Sequence, residues 1–282
     1  MASRQSALSF DRLVYLSPDP SGLSAFYREV LGVSGALHFE RCKRSASRTA
    51  AGLFHAAFLY PSRADLAIAV LRLQALGVPI HGASDHLVSE AIYLEDPDGN
   101  GIEIYADRPE EAWQADASGV RMDTLRLDMD DLLAQAPEWS KPEYTTLGSL
   151  PRGADRNTIP DSLAAPAGII VGHVHLRAVD LEDSTSFWTQ TVGLTVTSRY
   201  SGVAAFMSVG GYHHHIGVNR FARWSPPEPG ASGLSAMEIS VDTSRVAAPP
   251  NAGHPDKPPT APIHTPEGIE LFVQLGRESV QP

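Results

Sequence analysis

The chain has 282 residues, 43% hydrophobic and 20% charged, the composition of a folded globular protein with room for one large domain or two ordinary ones. Its 22 basic and 33 acidic residues leave a net charge of −11, which disfavours nucleic acid or an anionic membrane as partner. Cys42 is the only cysteine, so no internal disulfide can form; no apolar signal core follows the first charges, no apolar run nears membrane-spanning length, and a cytoplasmic setting is expected.

Four copies of one half-domain pattern run along the chain, starting near Leu13, His55, His173 and Leu234, and such a period sets architecture before any motif is read. The first copy opens on the apolar strand Leu13-Val14-Tyr15-Leu16. A helix through Leu23-Ser24-Ala25-Phe26-Tyr27 follows and stops at Gly32, the expected left-handed terminus. Only about twenty residues then separate Gly32 from Gly52, too few for three good strands. The second copy opens on Gly52-Leu53-Phe54-His55. Leu66, Val70, Leu73 and Leu76 fall on one helical face, with Gly77 ending the helix. Ala91-Ile92-Tyr93-Leu94, the turn from Asp96 to Gly101, and a strand through Tyr105 complete a βαβββ unit.

Residues 106–168 are acidic and broken by prolines, with one helix expected around Asp128 to Gln135; they read as a connector on the surface. The third copy opens on His173-Val174-His175-Leu176. Its helix is capped by Asp180, carries Asp183 in its first turn and stops at Gly193. The run His213-His214-His215 follows two glycines and precedes Ile216-Gly217-Val218, so it lies on or beside a strand. The fourth copy replaces its helix with Ala247-Ala248-Pro249-Pro250 and a proline-rich stretch to Pro262, a density that excludes a helix. Its Gly268-Ile269-Glu270-Leu271-Phe272 corresponds to Gly101-Ile102-Glu103-Ile104-Tyr105. The fold class is therefore α+β: repeated βαβββ modules in curved, barrel-like mixed sheets, with the outer modules reduced. The division is an N-terminal domain at 1–108, a connector at 109–168 and a C-terminal domain at 169–282.

Each histidine alone reads as an ordinary strand residue, and repeat position changes that reading. His55 and His173 sit on the first strands of their modules and Glu103 on the last strand of its own. Two imidazoles and one carboxylate form a ligand set for a metal with open positions opposite. A carboxylate within a buried strand is costly unless paired or metal-bound.

The segments Gly52-Leu53-Phe54-His55, Ser84 to Ser89, Tyr93 to Pro109, Gly172 to Leu176 and Gly210 to Gly217 resemble the vicinal oxygen chelate superfamily, and within it the two-domain extradiol ring-cleaving dioxygenases of the catechol 2,3-dioxygenase kind. The resemblance implies Fe(II), with Mn(II) the alternative, held by His55, His173 and Glu103. It implies a small aromatic diol and O2 as substrates. His214 aligns with the family's acid/base histidine, and alternation turns His213 and His215 to the other face. His86 and Tyr93 match positions that hydrogen-bond the substrate or its intermediate. The fold often pairs edge strands between copies, so a homo-oligomer is compatible with it.

One departure matters. In the well-known extradiol enzymes all three ligands lie in the C-terminal half. Here Ala236 stands where the fourth copy would carry its histidine, and the first copy has none on its opening strand. Pairing copy one with two and three with four leaves no complete site. Pairing two with three restores one, within a chain or between subunits. Other expectations for this superfamily are a metal-dependent isomerase or thiol transferase, and a non-enzymatic small-molecule binding protein.

Overall fold

The computed structural model describes residues 5–33, 35–116, 119–138, 163–245 and 261–276. The first copy supplies β1 (Leu8–Ser17), α1 (Pro20–Phe26) and β2 (Leu37–Arg41). The second supplies β3 (Gly52–Leu59), α2 (Arg63–Ala75), β4 (Gly82–Asp85), β5 (Ser89–Glu95) and β6 (Gly101–Asp107). The intervening segment carries β7 (Ala115–Asp116), β8 (Gly119–Val120), β9 (Leu125–Arg126) and α3 (Met129–Ala134). The third copy forms β10 (Ile170–Arg177), α4 (Leu181–Phe187), β11 (Thr195–Tyr200), β12 (Ala204–Ser208) and β13 (Ile216–Asn219). The fourth forms β14 (Gly233–Asp242), β15 (Ile263–His264) and β16 (Glu270–Gly276). The stretch from Ala247 to Pro262, read above as excluding a helix, lies mostly outside the described residues.

The strands make a five-stranded sheet, β15-β16-β14-β1-β2, and a nine-stranded mixed sheet, β11-β12-β13-β10-β3-β6-β5-β4-β9, with β7 and β8 as a separate ribbon. The small sheet joins copies one and four; the large one joins copies two and three and curls into a half-barrel. Both use the same plan. The opening strands pair antiparallel at the centre, β1 with β14 and β3 with β10, and each is flanked on its other side by a parallel strand of its own copy. The pairing inferred from the missing histidines is the one observed.

Alternation along the large sheet sends side chains to two environments. Ala56, Phe58, Ile102, Ile104, Val174 and Leu176 enter the main core, where α2 contributes Leu66, Val70 and Leu73. Truncating one of these large residues to alanine costs about 2–5 kcal/mol. The intervening positions Ala57, Ala91 and Tyr105 form a second buried cluster with Leu59 and Tyr93 on the opposite face. Helices therefore cover one face and leave the concave face to a site.

The helix caps follow the sequence. The Asp180 carboxylate accepts from the Glu182 and Asp183 amides, and Gly32 and Gly193 terminate their helices at φ of 76° and 85°. Before each glycine, however, the helix widens into a π-turn, at Tyr27–Leu31 and at Trp188–Val192. The segment after residue 109 is also more than a surface connector. Asp128 caps α3 as expected, but β9 extends the large sheet beyond β4, and Leu132 is fully buried in the main core. Among the described residues no helix is long and apolar enough to cross a membrane.

Candidate metal centre

Strand register assembles the site. His173 lies opposite Ala57 on β3, Ala57 opposite Glu103 on β6, and Glu103 opposite Tyr93 on β5. One row across four strands thus reads His173, Ala57, Glu103, Tyr93, all on the concave face. The next row places His175 opposite His55 and His55 opposite Gly101. Register shifts flank the histidines of β10, between Val171 and His173 and between His175 and Leu176; such bulges bend a strand and re-aim its side chains. Between His173 and Glu103 only the methyl of Ala57 intervenes, so the two longer side chains meet above it.

His55, Glu103 and His173 are 6%, 3% and 2% exposed, and each offers a ligand atom within 4.8 Å of the other two. His173 Nε2 lies 3.3 Å from Glu103 Oε2 and His55 Nε2 lies 3.0 Å from the same oxygen. A metal about 2.1 Å from two ligand atoms at right angles holds them about 3.0 Å apart. Among the described residues His55 Nε2 nevertheless has no hydrogen-bond partner, because it is close to the carboxylate but not aligned with it. A buried, unpartnered ring nitrogen facing a buried carboxylate suits a metal-ligand set. The three residues fit a metal, and they come from one chain.

The electrostatics agree. Burial pushes the Glu103 carboxyl up, but His173 and His55 outweigh it and hold the group well below its usual value. Burial lowers His173 to about 4 against the opposing pull of Glu103, and it holds His175 and His214 well below the usual histidine value. These imidazoles are neutral near pH 7, as metal binding requires.

The triad lies on a cavity of about 270 Å3. Phe54, Phe206 and Phe221 line it beside His55, Glu103 and His173, with His86, Tyr93, His175 and His214 among the polar contributors. The His214 ring packs against His173 at a tilt of 49°, with 4.1 Å between ring centroids. His213 and His215 point elsewhere: His213 Nε2 meets Asp107 Oδ1 at 3.0 Å, whereas His215 accepts from the Val209 amide at 3.3 Å and donates to the Gln5 carbonyl at 2.9 Å. His86 donates from Nδ1 to the Asp123 carbonyl at 2.8 Å, so its Nε2 accepts from the Tyr93 hydroxyl at 2.6 Å. Burial and the charge of Glu103 push the Tyr93 phenol well above its usual value.

Sequence reasoning gave His175 a place on the right face but no role. It lines the cavity with Nε2 buried and unpartnered, and its ring fits because a side chain at Gly217 would meet it at 3.0 Å. Met122, Asp123 and Thr124 also line the cavity; they belong to the connector, where no periodicity marks them.

The chain matches the model of the Glyoxalase/Bleomycin resistance protein/Dioxygenase superfamily over residues 34–104 and 170–260, and it belongs to that family. It is 44% identical over 196 residues to a catechol-2,3-dioxygenase of Bacillus subtilis (strain 168), a match covering 68% of this chain and 61% of the relative. It is 38% identical over 64 residues to biphenyl-2,3-diol 1,2-dioxygenase 3 of Rhodococcus globerulus, covering 22% of this chain and 34% of the relative. The matches thus span under two thirds of these relatives. A crystal structure from Bacillus subtilis subsp. subtilis str. 168, of a protein proposed to be a dioxygenase, superposes with a TM-score of 0.54 at 12% identity, covering 95% of this chain and 84% of that one; it shows a shared fold.

Proposed function

We propose that this protein is an Fe(II)-dependent extradiol dioxygenase that cleaves catechol or a substituted catechol with O2. The observation that carries the reading is the buried His55, His173 and Glu103 triad facing an aromatic-lined cavity. The 44% identity to a protein named for this activity supports it. Two histidines and one carboxylate on one side of a metal leave positions for a chelating diol and for O2. Bound there, Fe(II) supplies the redox exchange between the diol and O2; Mn(II) is the alternative ion.

The surrounding residues have separate tasks. A cavity of about 270 Å3 is slightly smaller than the roughly 300–1,000 Å3 usual for drug-sized ligands, which suits one substituted ring. Phe54, Phe206 and Phe221 provide apolar wall and exclude water. His214 exchanges a proton with a substrate hydroxyl at Nε2. Tyr93, oriented by His86, hydrogen-bonds a substrate oxygen. Cys42, buried and unpaired, suits a reducing, cytoplasmic setting.

The test is oxygen uptake by anaerobically purified protein reloaded with Fe(II), against a panel of catechols. The expected result is stoichiometric O2 consumption with a yellow ring-fission product. Metal-replete protein that turns over no catechol, or that reacts without consuming O2, overturns the proposal.

A further inference from the structure

The side chains behind His214 form a continuous hydrogen-bonded chain. His213 Nδ1 lies 2.8 Å from His214 Nδ1, and His213 Nε2 lies 3.0 Å from Asp107 Oδ1. The other carboxylate oxygen of Asp107 accepts from the Tyr212 hydroxyl at 2.9 Å, and that hydroxyl accepts in turn from Tyr105 at 2.9 Å. His213, Tyr212 and Tyr105 are all at or below 1% exposure. Trp113 packs its ring against His213 at 5.3 Å. The backbone makes room for the arrangement: a side chain at Gly172 would collide with the Tyr105 hydroxyl.

Proton accounting along this chain has one solution for neutral rings. An ionised carboxylate only accepts, so the proton between Asp107 and His213 sits on His213 Nε2. A neutral imidazole carries one proton, so His213 Nδ1 is bare and must accept. The proton between the two rings therefore sits on His214 Nδ1, and His214 Nε2 is left with a free lone pair. No hydrogen bond reaches that nitrogen among the described residues, and His214 is on the cavity wall.

We propose that Asp107 and His213 are positioning residues that hold His214 as its Nδ1–H tautomer, so that Nε2 faces the cavity as the acceptor of a substrate hydroxyl proton. This rests on the reading that the cavity binds a hydroxylated ring. The proton leaves the hydroxyl oxygen for Nε2, and the positive charge that develops on His214 is shared through His213 towards Asp107. The usual assignment of an acid/base residue stops at the ring in the cavity; here two further residues, 106 positions apart, decide which of its nitrogens is basic.

The experiment is long-range 1H–15N correlation on full-length protein with 15N-labelled histidine, loaded with diamagnetic Zn(II). The expected spectrum shows His214 protonated at Nδ1 and His213 protonated at Nε2. A spectrum with the proton on His214 Nε2 overturns the proposal without reference to activity. The Asp107→Asn variant adds the causal test. With the Tyr105 hydroxyl still donating to Tyr212, the Tyr212 hydroxyl donates onward, so the oxygen of the introduced amide stays on Tyr212 and its nitrogen turns to His213. Both histidines then exchange tautomers, Zn(II) binding persists, and in the Fe(II) enzyme kcat falls at least tenfold with KM changed less than threefold. Unchanged tautomers in folded Asp107→Asn protein also overturn the proposal. If that variant does not fold, the spectrum of the unmodified chain still decides. A confirmed tautomer in protein that oxidises no catechol would refute the proposed function and leave the relay standing.

Discussion

Glu103→Gln separates a metal ligand from an ordinary buried acid. The substitution keeps shape and removes the negative charge of the triad. A ligand that binds only folded protein stabilises it by RT ln(1 + [L]/Kd), about 2.7 kcal/mol at a hundredfold excess over Kd. For a chain of 282 residues, each kcal/mol moves Tm by about 2–4 °C, so a saturating ion should raise the melting point by roughly 5–10 °C. Loss of the carboxylate that His173 and His55 approach at 3.3 and 3.0 Å should weaken binding at least a hundredfold. At the same ion concentration the variant then keeps only about 0.4 kcal/mol of the effect, roughly 1 °C. In chelator the two proteins should melt within about 2 °C of each other, because the isosteric amide preserves packing while the exchange of a buried carboxylate for a neutral group largely offsets its lost contacts. Differential scanning fluorimetry with Mn(II), which tolerates air, reads both conditions. A full ion-dependent shift in Glu103→Gln, or none in the unmodified chain, would refute the reasoning.

Three further outcomes follow from particular contacts. Ala57→Leu should cost about 1–3 kcal/mol by overpacking and abolish metal retention, since Ala57 is fully buried between His173 and Glu103; metal analysis after dialysis showing a full complement would tell against the row geometry. Tyr93→Phe should retain its metal while turnover falls about tenfold, near the worth of one hydrogen bond; unchanged steady-state kinetics would remove Tyr93 from the site. Burial holds the Glu267 carboxyl above its ordinary value of 4.5 despite a hydrogen bond from Ser184. Its proton is bound more tightly in the folded state, so the stability it contributes is complete at low pH and is lost as pH rises above that value. Urea unfolding of Glu267→Gln at about pH 5 and about pH 8 should show the variant gaining on the unmodified chain at the higher pH; an equal difference at both would exclude that linkage.

Much of the architecture was legible because it depends on local period. The alternation of His173-Val174-His175-Leu176 put two histidines on one face, Gly32 and Gly193 ended their helices, and Ala236 in place of a histidine pointed to the partnership of copies two and three. What stayed hidden depends on proximity across long separations. Asp107 and His213 carry no common motif, and their contact exists only because β6 and the loop before β13 lie side by side. Met122 to Thr124 became cavity wall through a carbonyl latched by His86, which no spacing announces. The π-turns at Tyr27 and Trp188 add backbone width without changing the hydrophobic pattern, so periodicity does not reveal them.

The nesting of the two sheets governs the order in which the chain can fold. Val14 and Ser235 are 221 residues apart yet share a hydrogen bond between β1 and β14. At roughly 5–20 residues per second of synthesis, β1 waits about 10–45 s for that partner. β3 and β10, the central pair of the large sheet, are both made before β14, and so are His55, Glu103 and His173 of the candidate metal centre. During the interval the opening strand offers an unpaired edge to any other strand nearby. An ion captured at the proposed centre at that stage would hold the inner sheet together while the outer one is still being made, and would shorten the time in which a half-made chain can aggregate.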